Sequence, residues 1–304
     1  MTQMTKSVSK KPRLTMHQKQ SLAGWAFLLP ATLLIFGLSF YPMIRALLIS
    51  FMRGKPTALV YSDPLIRNYQ FMLKDKVFIQ SLKNTFTYLI IQVPIMLVLA
   101  LIFASILNNK QLRFKGVFRT CIFLPCATGL VAYSMIFRTL FSYDGMINAL
   151  LIKIGILDQA VNWLNDPTTA RVVIIIALVW RWTGYNMVFY LSGMQSIDYS
   201  VYEAARIDGA SSTQQLFRIT IPLLKPIILV TAIMSTNGTL QLFDESVNLT
   251  HGGPGNMTIT MSHYIYNTMF VSNPNFGYAA AMSFVILILV AVLSAIQMKV
   301  GDKR

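Results

Sequence analysis

Polar side chains recur at helical spacing inside an apolar stretch near residue 240. Asn237 and Gln241 lie at i and i+4, Asp244 or Glu245 follows at i+7 or i+8, and Gly238 stands among them. One face of a continuous helix would carry all of these positions. Amide groups both donate and accept hydrogen bonds, which suits a ligand rich in hydroxyl groups. Bonding between helices is the competing interpretation for the amides, and a helix end is the competing one for the carboxylates.

An earlier apolar stretch carries aromatic side chains beside an amide. Trp182, Asn186 and Tyr190 lie at i, i+4 and i+8. Carbohydrate sites place apolar ring faces against aromatic side chains and use polar groups to fix orientation. Packing or contact with lipid is the alternative for the tryptophan. Arg181 is unusual within an apolar stretch, and the sequence does not decide whether it pairs with an acidic group or extends to the membrane surface.

Motifs for covalent or metal chemistry are missing from this sequence. Its three histidines are scattered without an H-E-x-x-H pair, its two cysteines exclude a disulfide scaffold, and it contains no P-loop. An enzyme embedded in a membrane would need a nucleophile and base, or metal ligands, clustered at one depth. The residues therefore favour a binding path over a reaction centre.

Six apolar stretches are long enough to cross a bilayer as helices, since a core of about 30 Å needs roughly 20 residues. Charged residues make up only 12% of the 304 residues and hydrophobic ones 55%. The sequence therefore predicts an all-α polytopic membrane protein, with a membrane domain over 22–298 between tails 1–21 and 299–304. The predicted spans are about 22–42, 85–107, 117–139, 172–194, 226–246 and 277–298.

The distribution of Lys and Arg predicts the orientation. Of 26 basic residues, 15 fall in the two tails and in the connections on their side of the membrane, which are shorter in total. The connection 247–276 on the opposite side has none, although the basic loop after the first span departs from this pattern. The denser side faces the cytoplasm. We therefore predict a multi-pass protein of the cell membrane with both termini inside, and this topology explains the net charge of +15 better than nucleic acid does.

The cytoplasmic connection between spans four and five predicts two short helices joined by a glycine. Ser200 with Glu203 matches a capping box for the first helix, and Gly209 matches a left-handed helix end. Ser211 or its neighbour would cap the second helix, which would end before Pro222. An amphipathic helix lying on the bilayer surface is the competing interpretation.

This connection resembles the EAA signature of ABC importer permeases. The signature reads EAA, three residues, glycine, nine residues and I-x-L-P, and Glu203–Ala205, Gly209 and Ile219–Pro222 match it with isoleucine at the leucine position. The run 243–254, which contains F-D and L-T-H-G-G-P, is similar to one in the sugar-importing subgroup, of the maltose-importer type. The likeness extends from the first span to the sixth.

The resemblance implies a mechanism and a set of partners. Two homologous permeases pair around a translocation path in the lipid bilayer, two cytoplasmic ATPase subunits grip their EAA loops, and an extracellular solute-binding protein delivers the ligand. It implies no enzyme activity and no cofactor for this chain, because ATP and Mg would be bound by the ATPase. Within the EAA loop, 198–222, it implies an ATPase-coupling role for Glu203, Ala204, Ala205, Asp208, Gly209 and Pro222.

The resemblance also places the substrate path in span four, around W-T-G-Y at 182–185, and in the middle of span five. There Gly184 would let a ligand or another helix approach closely. The predicted function is import of a carbohydrate, with an oligosaccharide favoured; a polyol or glycerol-phosphate permease, an ion-coupled carrier and a channel stay open. The candidate path residues are Trp182, Gly184, Tyr185, Asn186, Tyr190, Asn237, Gly238, Gln241 and Asp244.

Overall fold

The computed structural model describes residues 15–55, 57–109, 111–271 and 274–301, and it divides into two units. The first unit ends at Leu48 and contains most of helix α1, Met16–Ser50. The hydroxyl of Thr15 accepts the backbone N–H of Gln18 and caps this helix. The apolar side chains of α1 are exposed, as suits a helix whose backbone groups are satisfied internally within hydrocarbon. Most of the predicted N-terminal tail, 1–14, and residues 302–304 lie outside the described residues.

The second unit begins at Ile49 and consists of long helices joined by shorter ones. A short hairpin pairs β1, Met52–Arg53, with β2, Val60–Tyr61. The described helices confirm the prediction of an all-α polytopic chain: five are long and apolar enough to span a membrane, or six when one bent helix pair is counted as a single span. The helices of this unit are α2 (Arg67–Met72), α3 (Lys76–Asn108), α4 (Lys115–Ala127), α5 (Leu130–Leu140), α6 (Met146–Lys153), α7 (Pro167–Gln195), α8 (Tyr199–Ile207), α9 (Ser212–Leu240), α10 (Asp244–Asn248), α11 (Met261–Tyr266) and α12 (Phe276–Gly301).

The third predicted span, 117–139, is bent at its middle. Helices α4 and α5 meet at 99°. Thr128 and Gly129 between them both adopt extended backbone, with ψ of 146° and 140°. The Thr128 hydroxyl donates to the Pro125 carbonyl at 2.6 Å and so satisfies one of the acceptors that the end of α4 leaves free. Apolar composition alone predicts where this span lies but does not reveal the bend.

The fifth span differs from its predicted range of 226–246. Helix α9 begins earlier and ends one residue before Gln241, where the chain turns. The Leu242 carbonyl beyond the turn accepts the Thr260 hydroxyl at 2.6 Å, so a side chain from another segment satisfies the freed backbone group. The prediction that Asn237, Gln241 and Asp244 share one helix face is therefore wrong, because they do not share one helix.

Helix α7 is central to the second unit and packs against α3, α4 and α9. Gly184 allows α4 to come close, since a Cβ atom at this position would collide with the carbonyl oxygen of Ile122. Two apolar clusters, one in the N-terminal half of α7 and one in its C-terminal half, fix its rotation and thereby the direction of its polar residues. One cluster includes Tyr88, Phe137, Val173, Ile174 and Ala177, and the other includes Ala100, Ala104, Met187, Leu191 and Leu224.

Asp75 joins three helices of the second unit. Its Oδ1 accepts the N–H of Val77 at 2.9 Å and caps α3, while its Oδ2 accepts the hydroxyls of Tyr264 at 2.6 Å and Tyr278 at 2.7 Å. An asparagine can still cap the helix, but its amide nitrogen cannot accept both phenol protons. We therefore expect Asp75→Asn to destabilise the fold by about 1–2 kcal/mol, which should appear as a lower thermal aggregation temperature of the purified protein.

Asp166→Asn is the matched control. Asp166 caps α7 by accepting the N–H groups of Thr168 and Thr169 of the same helix, both at 2.9 Å. Its replacement should shift the aggregation temperature little. Equal shifts in the two variants would contradict the bridging role of Asp75.

Candidate functional site

A cavity of about 280 Å³ lies among α3, α5, α7 and the end of α9. Helix α7 contributes two aromatic rings and an amide, and the α9 end contributes a second amide and a glycine. The arrangement offers flat apolar surfaces and groups that both donate and accept hydrogen bonds. Six of the nine predicted path residues line this cavity: Trp182, Tyr185, Asn186, Gly238, Gln241 and Asp244.

The other three predicted path residues make contacts between helices. Gly184 faces the backbone of α4. The Tyr190 hydroxyl bonds to the Thr231 hydroxyl at 2.9 Å, and the Asn237 Oδ1 accepts the Ser294 hydroxyl at 3.3 Å. Helix packing was the alternative left open for Asn237. A helix presents successive residues around its whole circumference, so a polar stretch as dense as this one cannot face a single cavity.

Sequence reasoning missed several lining residues, of which Gln92 is the most informative. Its Oε1 accepts the Thr239 hydroxyl at 3.0 Å, and its Nε2 donates to the Met96 sulfur at 3.3 Å, so it bridges α3 and α9. A single amide in the middle of an apolar span is the signal that could have found it. The lining also contains Glu245, which the sequence offered as the alternative to Asp244, together with Met96, Leu130, Leu178, Met234, Ser235, Thr239, Leu242 and Phe243.

The ionisable side chains of the cavity are two carboxylates. Asp244 and Glu245 line one side, and the Tyr133 hydroxyl donates to Glu245. Among the described residues, no Lys, Arg or His side chain lines the cavity. Across the same ranges, no group of three or more His, Cys, Asp or Glu side chains is placed to hold a metal ion. The arrangement can bind a polar solute and disfavours an anionic one.

Arg181 lies behind the cavity and is only 5% exposed. Its Nη1 donates to the Thr128 carbonyl at 2.9 Å, and its guanidinium carbon lies 4.6 Å from the Tyr133 ring centre and 5.5 Å from that of Trp182. The side chain therefore does not extend to the membrane surface. A carbonyl and two aromatic faces stabilise its charge in place of a direct acidic partner within the described chain.

Hydrogen bonds from the run 243–254 to its surroundings hold α10, which is part of this run, beside the cavity. The hydroxyl of Ser246 contacts His263 Nδ1 at 2.9 Å, and the Thr258 hydroxyl donates to the Gly253 carbonyl at 2.7 Å. Burial, and secondarily the charge of His251, lowers the pKa of His263 to about 4. His263 is therefore neutral near pH 7, and it fixes α10, which begins with the two cavity carboxylates.

The EAA loop forms an elbow between α8 and α9, as its glycine predicts. Gly209 adopts a φ of +80°, its N–H donates to the Arg206 carbonyl at 3.0 Å, and the Ala210 N–H donates to the Ala205 carbonyl at 2.9 Å. This pair of bonds is a Schellman motif. The predicted capping box of Ser211 then starts the next helix.

Two details of the elbow differ from the prediction. Helix α8 is capped by Asp198, whose Oδ1 accepts the Ser200 N–H at 3.0 Å, so Ser200 lies in the first turn and is not the cap. That hydrogen bond lowers the pKa of Asp198. Pro222 does not end a short second helix, because a π turn over Leu216–Thr220 accommodates the proline and α9 continues across the span.

The elbow presents small and acidic side chains on its surface. Glu203, Ala204 and Asp208 are exposed, and Ile207 between them is 86% exposed. Ala205 is buried against the turn, and a hydrogen bond of 3.0 Å between the hydroxyls of Tyr202 and Thr220 braces α8 against α9. Small residues permit close approach by another surface, and the carboxylates offer acceptors to a basic partner.

Comparison with known proteins decides the family. A model of the binding-protein-dependent transport system inner membrane component matches residues 79–303. The chain belongs to this family. It is 49% identical to the lactose transport system permease protein LacF of Rhizobium radiobacter over 296 residues, which are 96% of this chain and 98% of that protein. It is 33% identical over 293 residues to the arabinooligosaccharides transport system permease protein AraP of Halalkalibacterium halodurans, 95% of this chain and 91% of that protein.

The fold is shared with a solved transporter. One chain of a bacterial ABC transporter involved in the import of the acidic polysaccharide alginate matches with a TM-score of 0.81 at 22% identity, over 94% of this chain and 96% of that one. The prediction of a membrane-spanning ABC importer permease is confirmed by the family. The permease is a transport component rather than an enzyme, and the alternatives of an ion-coupled carrier and a channel are set aside.

Proposed function

We propose that this permease forms half of the translocation path for a neutral carbohydrate, with an oligosaccharide favoured. The observation that carries the proposal is the cavity, where Trp182 and Tyr185 stand beside the amides of Gln92, Asn186 and Gln241. Sugar rings offer apolar faces to aromatic side chains and hydroxyl edges to amides. The names of the lactose and arabinooligosaccharide relatives support the same class of substrate.

A glycerol-phosphate is the second candidate, and the charge of the cavity argues against it. Phosphate sites use Arg or Lys side chains as charge-assisted donors. Arg181 is the basic residue nearest to the cavity lining in span four, and its described hydrogen bond is to the Thr128 carbonyl behind the wall. The carboxylate of Asp244 would repel an anion most strongly where water is scarce. The same amides also suit a neutral polyol, so the uptake experiment must distinguish a polyol from a sugar.

Coupling to ATP is assigned to the EAA loop. We place this loop and both termini in the cytoplasm, where two ATPase subunits carrying ATP and Mg would dock on Glu203, Ala204 and Asp208. A second homologous permease would complete the path, and a solute-binding protein would deliver the sugar from outside. The continuity of α9 supports this assignment, because one helix connects the elbow at Ser212 to the cavity near Leu240. Motion of the elbow would therefore reach the cavity wall directly.

Uptake by cells with and without this chain tests the proposed substrate. The panel contains labelled lactose, an arabinooligosaccharide, glycerol and glycerol 3-phosphate. We expect deletion to remove uptake of at least one sugar, and the intact chain to restore it. Loss of glycerol or glycerol 3-phosphate uptake alone would refute the carbohydrate proposal, as would a panel that deletion leaves unchanged.

Gln241→Leu tests whether the cavity is the path. Gln241 is exposed to the cavity, and leucine has a similar size, so we expect the fold to be retained. Loss of an amide that contacts sugar should lower the rate of sugar uptake by about 3- to 10-fold. Gln70→Leu, an exposed glutamine on α2 outside the cavity lining, is the matched control. Unchanged uptake in Gln241→Leu would remove Gln241 from the path.

A further inference from the structure

We propose that Arg181 is a positioning residue of the translocation path. Its guanidinium connects three parts of the cavity wall. It touches Trp182 directly, reaches Glu245 through Tyr133 and reaches α5 through Thr128. The inference rests on the proposed function, because it takes the cavity to be the path.

The first link is to the bend in the third span. Arg181 Nη1 donates at 2.9 Å to the carbonyl of Thr128, the residue at which α4 ends. A carbonyl freed at a helix end inside a membrane needs a donor from elsewhere in the protein. Leu130, the first residue of α5, lines the cavity. The guanidinium therefore fixes the point at which α5 turns toward the cavity.

The second link is to the acidic side of the cavity. The Arg181 guanidinium lies 4.6 Å from the centre of the Tyr133 ring, and the Tyr133 hydroxyl donates to the Glu245 carboxylate. Both Tyr133, at 0%, and Glu245, at 3%, are buried. Contact with the cation holds the ring, and the ring holds the carboxylate against the cavity.

The third link is direct, since the guanidinium also lies 5.5 Å from the Trp182 ring centre.

The cost of placing Arg181 here argues for a role beyond packing. Its Nε is buried and has no hydrogen-bond partner among the described residues. An incompletely satisfied charge in a membrane protein is expensive, and an apolar residue of similar volume fills a helix contact at lower cost. This one side chain contacts Tyr133 of α5 and Trp182 of α7, and Tyr133 links it to Glu245 of α10. Arg181 therefore makes these wall segments move together when α9 transmits the motion of the elbow.

Transport per ATP is the measurement that distinguishes positioning from folding. The chain is reconstituted with its partner permease, ATPase and binding protein in liposomes, and labelled lactose, or the panel sugar that the wild type imports, is counted against ATP hydrolysed. We expect Arg181→Met to lower this ratio by about tenfold. Arg181→Lys should restore part of it, because lysine keeps the charge but loses the planar fork.

Tyr133→Phe isolates the link to Glu245. It keeps the ring under the guanidinium and removes only the hydroxyl, so we expect complex assembly to be retained and the ratio to fall about threefold. This isosteric variant carries the test on its own if Arg181→Met fails to assemble. The double variant Tyr133→Phe with Glu245→Gln should be no worse than the worse single variant, because the two residues act as one pair.

Tyr88→Phe is the matched control. The Tyr88 hydroxyl is buried and donates to the Thr258 carbonyl at 3.4 Å, and Tyr88 is outside the cavity lining. A purely structural role for Arg181 would lower uptake and ATP hydrolysis together and leave their ratio unchanged. Wild-type ratios in Arg181→Met and Tyr133→Phe, or additive losses in the double variant, would overturn the inference. A wild-type complex that imports none of the panel sugars would instead refute the proposed function.

Discussion

Gly209→Val should abolish sugar uptake while the chain still reaches the membrane. Gly209 has a φ of +80° and closes the Schellman motif between α8 and α9. Nothing lies within 4 Å of a Cβ atom built on Gly209, so the penalty comes from the backbone conformation rather than from a clash. A β-branched residue there is strained by about 1–3 kcal/mol, and the elbow should change its angle to relieve the strain. Insertion depends on the apolar length of the spans and should be unaffected.

Gly155→Val is the matched control for this prediction. Gly155 has a φ of +74° and also has nothing within 4 Å of its Cβ position, but it follows α6 rather than the EAA loop. The backbone strain is therefore similar while the location differs. Membrane fractionation, co-purification of the ATPase and uptake are measured for both variants. Normal uptake in Gly209→Val, with the ATPase still bound, would show that the elbow does not couple the permease to ATP.

Features that depend on neighbouring residues in the chain could be predicted from the sequence. The spans are visible because hydrocarbon requires an unbroken apolar length, and the EAA loop is visible because its residues lie at fixed spacing. The left-handed Gly209 followed from the helix signals on either side of it. Asn186, Gln241 and Asp244 were found because polar groups in an apolar stretch are costly in lipid, whereas Tyr185 came from the resemblance to sugar permeases.

Features that depend on distant partners could not be predicted. Helix α9 ends before Gln241, and the Leu242 carbonyl beyond its end accepts the hydroxyl of Thr260 from a separate segment. Asn237 faces α12 rather than the cavity because Ser294 lies opposite it. The lone amide of Gln92 marks it as facing the protein interior, but the local sequence does not show that α3 packs against α9 and so brings it to the cavity. In each case tertiary packing, which the local sequence does not show, decided what the residue contacts.

Gly184→Leu should prevent assembly of the permease. The sequence left open whether a ligand or another helix approaches Gly184, and the structure places helix α4 there. A Cβ atom on Gly184 would collide with the carbonyl oxygen of Ile122 in α4. Backbone cannot move aside as a flexible side chain can. Separating α4 from α7 would also displace Thr128 from Arg181 and Trp182 from the cavity, so uptake should be lost together with stability.

The sign of the stability change in glycine-to-alanine variants shows whether helix α4 contacts Gly184. In the interior of an exposed helix, replacing glycine with alanine stabilises by roughly 1 kcal/mol through backbone entropy. Gly24→Ala, in the interior of α1 with nothing within 4 Å of its Cβ position, should show this gain as a higher aggregation temperature. Gly184→Ala should instead lose about 1–3 kcal/mol and aggregate at a lower temperature, because overpacking outweighs the entropy. If both alanine variants gain stability alike, α4 does not contact Gly184, and the glycine is then free to face the solute.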